Sequence, residues 1–298
     1  MRIATLLPSA TEIVAALGAA DDIVGVSHSC DFPPGVRQRP RVTSTTIPTD
    51  ADSAAIDRAV REELAAGRSL YHLDVDRLRA LAPDVIVSQR LCDVCAVSSG
   101  HVVAALAKLP GRPLLIDLSP VALNDILADI TAVGRAIGRG DAAAELTASL
   151  SRRIDDVAGR TRQIDAELCP SVGFLEWLDP PFSGGHWNPE LVALAGGRDA
   201  FGETGEPSRT LSWDEIAAAD PHVLYVAVCG YDAERARADV ARLARTEPWA
   251  SLSAVRAGRV YVANGDAFFA RPGPRVVDGL EQLAHVLHPH VHEAPAAA

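Results

Sequence analysis

Long apolar runs, aromatic side chains and positive charge are all scarce in this chain of 298 residues. No segment has the ~20 consecutive apolar residues that a transmembrane helix needs, so we expect no membrane insertion. Lys and Arg number 28 against 39 Asp and Glu, and the formal net charge is −11. This balance argues against nucleic acid as a partner, because binding it requires a basic surface. The five cysteines are an odd and sparse set, which favours free thiols over a disulfide scaffold.

A secretory signal is also lacking at the start of this sequence. Such a signal needs a basic first segment and an uninterrupted apolar core. The segment Arg2–Pro8 instead reads as a short strand that runs directly into a helix. The sequence as it stands therefore predicts a cytoplasmic protein, and a leader removed earlier would place the protein in the periplasm or elsewhere outside the cytoplasm.

What the chain does contain is one pattern used twice, at residues 76–87 and 214–225. In each copy an acidic residue opens a short helix, a proline ends it, and a β-branched run follows as a buried strand. The repeat predicts an α/β fold with two Rossmann-like lobes. Because α/β sheets bind ligands beyond the carboxyl ends of their strands, a cleft for a small-molecule ligand is expected between the lobes.

The domain organisation follows from what lies between the two copies. Apolar residues recur at helical spacing from Ile126 to Ile137 and again from Leu146 to Val157, with an interruption at Gly138. This pattern predicts a long helical connector. The expected organisation is an N-terminal α/β lobe over residues 1–118, the connector over 119–168, a C-terminal α/β lobe over 169–289, and a disordered tail over 290–298.

Local signals place several individual elements. Short strands are predicted at Ile23–Val26 and Val260–Val262. The residues Ser9 to Glu12 have the spacing of a capping box, which predicts a helix that continues to Leu17. The dipeptide Ser119-Pro120 predicts the start of the connector, with serine as the N-cap and proline at the first helical position.

Several motifs together resemble one known family. They are Pro8-Ser9-Ala10-Thr11-Glu12, Cys30-Asp31-Phe32-Pro33-Pro34, Ala82-Pro83-Asp84-Val85-Ile86, Gly196-Gly197-Arg198-Asp199-Ala200-Phe201, Gly258-Arg259-Val260-Tyr261-Val262 and Arg271-Pro272-Gly273-Pro274-Arg275. Their order and spacing are similar to the helical-backbone (class III) substrate-binding proteins of ABC importers for vitamin B12, haem and iron-siderophores, above all the B12-binding branch. The resemblance implies binding of cobalamin or another corrinoid, or of a related tetrapyrrole or metal chelate, and no enzymatic activity. The protein would be a substrate-binding protein or a cytoplasmic relative of one.

The same resemblance and the strand-end loops indicate the ligand site. The candidate ligand-binding residues are Phe32, Gln89, Phe182, His186, Trp187, Asp266, Phe268 and Arg271. Phe32, Phe182 and Phe268 supply the aromatic lining that the family uses. The chain departs from the family at Ser88-Gln89 and at Ser208-Arg209, where the family tends to carry tryptophans, so the stacking surface for a macrocycle is smaller.

Docking to an ABC permease is the second role that the resemblance implies. The family carries a glutamate on each lobe within the repeated pattern, and this chain has Asp76 and Asp214 there. The alternative interpretation of both residues is an acidic side chain that stabilises a helix N-terminus.

Cysteine and histidine in the same loops support an alternative function. Cys92 and Cys95 have the spacing of zinc, iron–sulphur and redox dithiol sites, and Cys30 and His28 could complete a metal set. Zinc or iron would be the metal in that case, and the fold would be reused for metal binding or redox chemistry. The competing interpretation is that the cysteines are small buried thiols. An enzyme acting on a small ligand is the third hypothesis, and no matched acid–base set supports it.

Overall fold

The computed structural model describes residues 1–89, 102 and 109–295. The chain forms two compact units, in which segments of the sequence alternate. Unit 1 comprises Met1–Ala51, Arg58–Pro120 and Asn124–Ala148, and unit 2 comprises Asp52–Asp57, Val121–Leu123 and Ser149–Ala298. The segment 119–168, which we predict as a connector, is divided between the units: 119–120 and 124–148 belong to unit 1, and 121–123 and 149–168 belong to unit 2. Each unit contains a mainly parallel sheet with helices, which confirms the α/β class.

Unit 1 is built on a four-stranded parallel sheet of order β2-β1-β5-β6, with a separate antiparallel pair, β3-β4. Its strands are β1 (Ile3–Thr5), β2 (Ile23–Val26), β3 (Thr43–Thr45), β4 (Tyr71–Leu73), β5 (Val85–Gln89) and β6 (Leu114–Leu118). The central strands β1 and β5 are buried along their whole length. Their carboxyl ends lie at one edge of the sheet, which is the edge where parallel α/β sheets bind ligands.

Five helices lie wholly or partly in unit 1, and they fall between these strands in the sequence or follow them. They are α1 (Pro8–Ala16), α2 (Ser53–Ala65), α3 (Val75–Leu81), α4 (Leu123–Ala136) and α5 (Gly140–Thr161), together with short 3-10 turns at Ala20–Asp22 and Pro34–Gln38. Gly138 separates α4 from α5 with a φ of +70°, a conformation that glycine adopts without steric cost. Helices α2, α4 and α5 contribute residues to both units.

Unit 2 is built on a sheet of order β11-β10-β7-β8, with β9 paired to β7. Its strands are β7 (Ser171–Leu178), β8 (Pro181–Ser183), β9 (Arg198–Asp199), β10 (Val223–Val226) and β11 (Val260–Val262). All pairings are parallel except the β7-β8 hairpin. The carboxyl ends of β7, β10 and β11 therefore meet at one edge of this sheet as well.

The remaining helices belong to unit 2. They are α6 (Asn188–Leu194), α7 (Trp213–Ala219), α8 (Ala233–Leu243), α9 (Glu247–Ala250), α10 (Ser253–Arg256), α11 (Gly265–Phe268) and α12 (Val276–Leu287), with a 3-10 turn at Ala166–Leu168. Within the part of the chain that the structure describes, no helix combines the length and apolar character that crossing a membrane requires.

Two of the local predictions were correct and two were wrong. The strands Ile23–Val26 and Val260–Val262 are confirmed. The capping box at Ser9 is wrong, because α1 already begins at Pro8 and Leu7, which has no side-chain cap, is the N-cap. The fixed φ of proline starts the helix one residue before Ser9. The predicted start at Ser119-Pro120 is also wrong, because α4 begins at Leu123.

Candidate functional site

The carboxyl-end edge of the unit 1 sheet carries a buried network of hydroxyl and thiol groups. Thr5 Oγ1 lies 2.6 Å from Thr11 Oγ1, and Thr11 Oγ1 lies 3.0 Å from Cys30 Sγ. Ser27 Oγ is also 3.0 Å from this sulphur. Burial raises the pKa of the Cys30 thiol, although the hydrogen bonds from Ser27 and Thr11 oppose the shift. The neutral thiol is therefore favoured near pH 7, whereas metal ligation requires a thiolate.

His28 follows β2 in the same loop and is held by side chains of the antiparallel pair. Its backbone N–H donates to Thr43 Oγ1 over 2.9 Å, and its ring Nδ1 lies 2.8 Å from the same oxygen. The ring stacks on Tyr71 at a centroid distance of 5.5 Å. Burial, and then the charge of Arg41, lower the pKa of His28. These contacts fix the imidazole within unit 1 as a neutral group.

Phe32 and Gln89 are the two ligand candidates that unit 1 contributes. Phe32 belongs to the loop after β2, and 41% of its surface is exposed. Gln89 ends β5 and is buried beside Ser88. The Oγ atom of Ser88 is buried and has no hydrogen-bond partner among the described residues.

The prediction of a metal or redox site depends on four residues, and the structure describes only two of them, His28 and Cys30. Cys92 and Cys95 lie outside the described residues, so their role stays a prediction. Within the described ranges, no group of three or more His, Cys, Asp or Glu side chains is arranged to hold a metal ion. Cys30 and Cys169 are free thiols, in agreement with the prediction from the odd cysteine count.

Aromatic rings form the core under the carboxyl-end edge of the unit 2 sheet. Phe174 on β7 and Tyr225 on β10 are register partners, and their ring centroids are 5.6 Å apart. Phe269 contacts both rings edge-on, at 5.5 Å from each. All three side chains are buried. The loop after β11 is therefore anchored to the sheet by an aromatic cluster.

The loop 184–188 presents His186 and Trp187, two of the predicted ligand residues. His186 has a φ of +55°, a left-handed conformation that non-glycine residues seldom adopt. Burial lowers its pKa, so the imidazole is neutral near pH 7 and keeps a lone pair that can bind a metal centre. Trp187 is only 5% exposed, and its indole Nε1 donates to the carbonyl of Phe269 over 2.9 Å. Trp187 thus ties this loop to the loop after β11.

Asp266 and Arg271, both predicted to bind ligand, pair with each other. Arg271 Nε donates to Asp266 Oδ1 over 3.2 Å, a second guanidinium nitrogen contacts Asp266 Oδ2, and Arg271 is 5% exposed. This two-point pair holds the loop after β11 in place. Phe268 is partly buried beneath Arg275, whose guanidinium carbon lies 5.7 Å from its ring centroid.

Trp177 is a candidate that the sequence reasoning missed. It is the register partner of Phe182 in the β7-β8 hairpin and packs edge-on against Tyr231, with centroids 5.5 Å apart. Arg235 covers the Tyr231 ring at 3.7 Å. The signal was the turn Asp179-Pro180, which predicts a hairpin and so places Trp177 and Phe182 across from each other.

The docking candidates Asp76 and Asp214 are exposed and lie in the first turns of α3 and α7. Asp76 forms a salt bridge with Arg79 over 2.6 Å. The helix caps are other residues, Asp74 and Ser212, each of which accepts a hydrogen bond from a backbone N–H of the first turn. Capping therefore does not require either candidate, and their role in docking stays a prediction.

The tail that we expected to be disordered from residue 290 is packed at its start. His292 is buried, and its Nε2 lies 3.2 Å from Thr161 Oγ1. The backbone carbonyl of His292 accepts a hydrogen bond from His285 Nδ1 over 2.9 Å. His285 and His292 thus form internal contacts of unit 2.

Comparisons with known proteins identify a family and a shared fold. The sequence signature of the family described as "Periplasmic binding protein" matches residues 3–267. The vitamin B12-binding protein of Vibrio cholerae is 25% identical over 291 residues, which cover 96% of this chain and 88% of that protein. An uncharacterized ABC transporter substrate-binding lipoprotein of Bacillus subtilis is 24% identical over 294 residues, covering 97% and 80%. The solved periplasmic heme-binding protein of Roseiflexus sp. RS-1 in apo form shares the fold, with a TM-score of 0.72, 23% identity and coverage of 97% and 98%.

Proposed function

Because the chain belongs to the periplasmic binding protein family, we propose that it binds a corrinoid or a related tetrapyrrole and delivers it to an ABC permease. Relatives named as a vitamin B12-binding protein and as a substrate-binding lipoprotein support this proposal. They give no support to the cytoplasmic location predicted from the start of the sequence. We therefore propose an extracytoplasmic site of action.

The observation that carries the proposal is the neutral, partly buried His186, which lies beside Trp187 in the loop after β8. Cobalamin and haem both combine a flat macrocycle with a central metal ion. A neutral imidazole supplies a ligand for such a metal, and partly buried rings such as Phe182 and Phe268 supply stacking surfaces. Unit 1 adds the exposed Phe32.

Absorption spectroscopy tests the proposal. Aquocobalamin, dicyanocobinamide and hemin are titrated separately into the protein, and at least one should bind with a shift of its visible bands. His186→Ala should remove the part of the shift that comes from imidazole coordination. His290→Ala is the matched control, since His290 is exposed in the same unit, and it should behave as the wild type.

Phe32 provides a second arm of the same titration. Phe32→Ala should weaken binding about fivefold, since an aromatic stacking contact contributes about 1 kcal/mol beyond its buried area. Leu168→Ala, at an exposed apolar residue of unit 2, should leave the affinity unchanged. Absence of binding of all three compounds at high micromolar concentration would refute the proposed function.

A further inference from the structure

Glu176 lies near the carboxyl end of β7 and accepts hydrogen bonds from the loop that follows β8. Its Oε2 accepts the backbone N–H of Gly185 over 3.1 Å and the side-chain Nδ2 of Asn188 over 3.3 Å. Ser208 adds a side-chain hydrogen bond to the same carboxyl group. Burial is the main cause of a raised pKa of Glu176. One acidic side chain thus connects the loop 184–188, the start of α6 and the loop that contains Ser208.

The loop held by Glu176 is interlocked with the segment 202–209. His186 N donates to Glu206 O over 2.6 Å, and Gly205 N donates back to His186 O over 2.9 Å. A Cβ atom at Gly185 would overlap the backbone of Ser208, so the two backbones approach each other closely because glycine stands there. These contacts hold the backbone of His186 in its left-handed conformation.

Asp199 holds the start of the segment 202–209 in a similar way. Its Oδ1 accepts the backbone N–H groups of Phe201 and Gly202, each over 2.9 Å. Burial raises the pKa of Asp199 to about 6. The two acidic residues therefore hold the two segments that together enclose His186, Asp199 through 201–202 and Glu176 through 185–188.

The donors that Glu176 satisfies cannot easily find other partners. Asn188 is 4% exposed and occupies the first position of α6. A buried N–H group that loses its acceptor bears the full desolvation penalty. Removal of the carboxyl group should therefore release the loop 184–188 from its observed conformation before it disturbs the sheet beneath.

We propose that Glu176 is a positioning residue, whose carboxyl oxygen fixes residues 184–188 so that His186 faces the ligand in a single conformation. The inference rests on the proposed function for its ligand, and its structural part stands on the contacts of Glu176 alone. Gln can accept the same two hydrogen bonds through its amide oxygen, whereas Ala cannot. The property to test is therefore whether the side chain at position 176 can accept these two hydrogen bonds.

The experiment combines hydrogen exchange of the ligand-free protein with affinity for aquocobalamin and hemin. Glu176→Ala should accelerate exchange in residues 184–188 and 202–209 at least tenfold, and weaken binding about tenfold. Glu176→Gln should restore both to within about threefold of the wild type. Asp129→Asn, which alters a partly buried carboxylate in unit 1, is the control and should change neither measurement. If Glu176→Ala does not fold, Glu176→Asp replaces it, because the shorter side chain cannot reach both donors.

The outcomes separate this inference from the proposed function. Exchange that remains at wild-type rates in Glu176→Ala, or a Gln variant as impaired as the Ala variant, would overturn the positioning role. Accelerated exchange with unchanged affinity for a bound probe would overturn it too. A wild-type protein that binds neither probe would refute the proposed function, while the exchange measurements would still decide whether Glu176 fixes the loop.

Discussion

The carboxyl-end edges of the two sheets carry different side chains. In unit 1, small hydroxyl and thiol groups from Thr5, Thr11 and Cys30 contact one another. In unit 2, the rings of Phe174 and Tyr225 occupy the corresponding edge and pack with Phe269. The repeated sequence pattern therefore specifies a helix and the strand after it in each unit, whereas most of the side chains that set the chemistry of each edge lie outside the pattern.

The difference has a physical consequence for the loops that follow the strands. Aromatic packing is collective and large, since each ring buries a broad apolar area. A network of hydroxyl and thiol groups contributes only the modest net energy of its hydrogen bonds. We therefore expect the unit 2 edge to be the more rigid scaffold and the unit 1 edge the more tolerant of substitution.

The largest expected effect comes from the unit 2 cluster. Phe174→Ala should lower the free energy of unfolding by about 3–5 kcal/mol, because it removes a buried ring and leaves a cavity between Tyr225 and Phe269. Urea denaturation followed by circular dichroism measures this loss. Phe182→Ala, at a partly exposed ring on β8, is the matched control and should cost about 1 kcal/mol or less. Equal losses for the two variants would contradict the aromatic cluster as the scaffold.

The hydroxyl network of unit 1 should respond more weakly. Thr11→Val keeps the shape of the side chain but removes the hydroxyl that lies between Thr5 Oγ1 and Cys30 Sγ, with an expected loss of about 1–2 kcal/mol in the free energy of unfolding. Thr11→Ser retains the hydroxyl and should recover part of that loss. The same denaturation series measures both. A loss as large as that of Phe174→Ala would remove the proposed contrast between the edges.

How much of this the sequence could predict depends on how local each signal is. The strands Ile23–Val26 and Val260–Val262 were predicted correctly, because apolar runs between turn residues specify them locally. The start of α4 was predicted wrongly, because a contact between residues far apart in the sequence accompanies it. The N–H of Leu123 donates to Glu190 Oε2 over 2.8 Å, and no spacing rule relates residues 67 positions apart.

The candidate site shows the same limit. His186 and the aromatic residues were predicted from strand ends and from the family resemblance. The contacts that hold them were not, since Glu176 reads in the sequence as one acidic residue in a β-strand. Likewise, nothing in the sequence indicated that Asp266 and Arg271 pair with each other. Side-chain partnerships between distant segments are decided by packing, which single-sequence patterns do not contain.

The final contrast is between two partly buried carboxylates, Asp266 in unit 2 and Asp129 in unit 1. In unit 2, Asp266 is neutralised by Arg271. In unit 1, Asp129 Oδ2 is buried without a hydrogen-bond partner among the described residues, and burial, followed by the charge of Asp125, raises the pKa of Asp129 from 3.8 to about 7. The folded state therefore binds this proton more tightly than the unfolded state, and the stability of the protein should fall as the pH rises from about 4 to 7.

Asp129→Asn should accordingly stabilise the protein at pH 8 and have little effect below about pH 4. The expected gain at pH 8 is only about 1 kcal/mol, because partial solvent exposure screens the charge. Urea titrations of both proteins at pH 5 and pH 8 measure it, and the difference between them should be larger at pH 8. Asp141→Asn, at an exposed acid in the first turn of α5, serves as the control and should show no such trend. A destabilised Asp129→Asn protein at pH 8 would mean that the Asp129 carboxylate has a compensating partner, and the contrast with the paired Asp266 would then disappear.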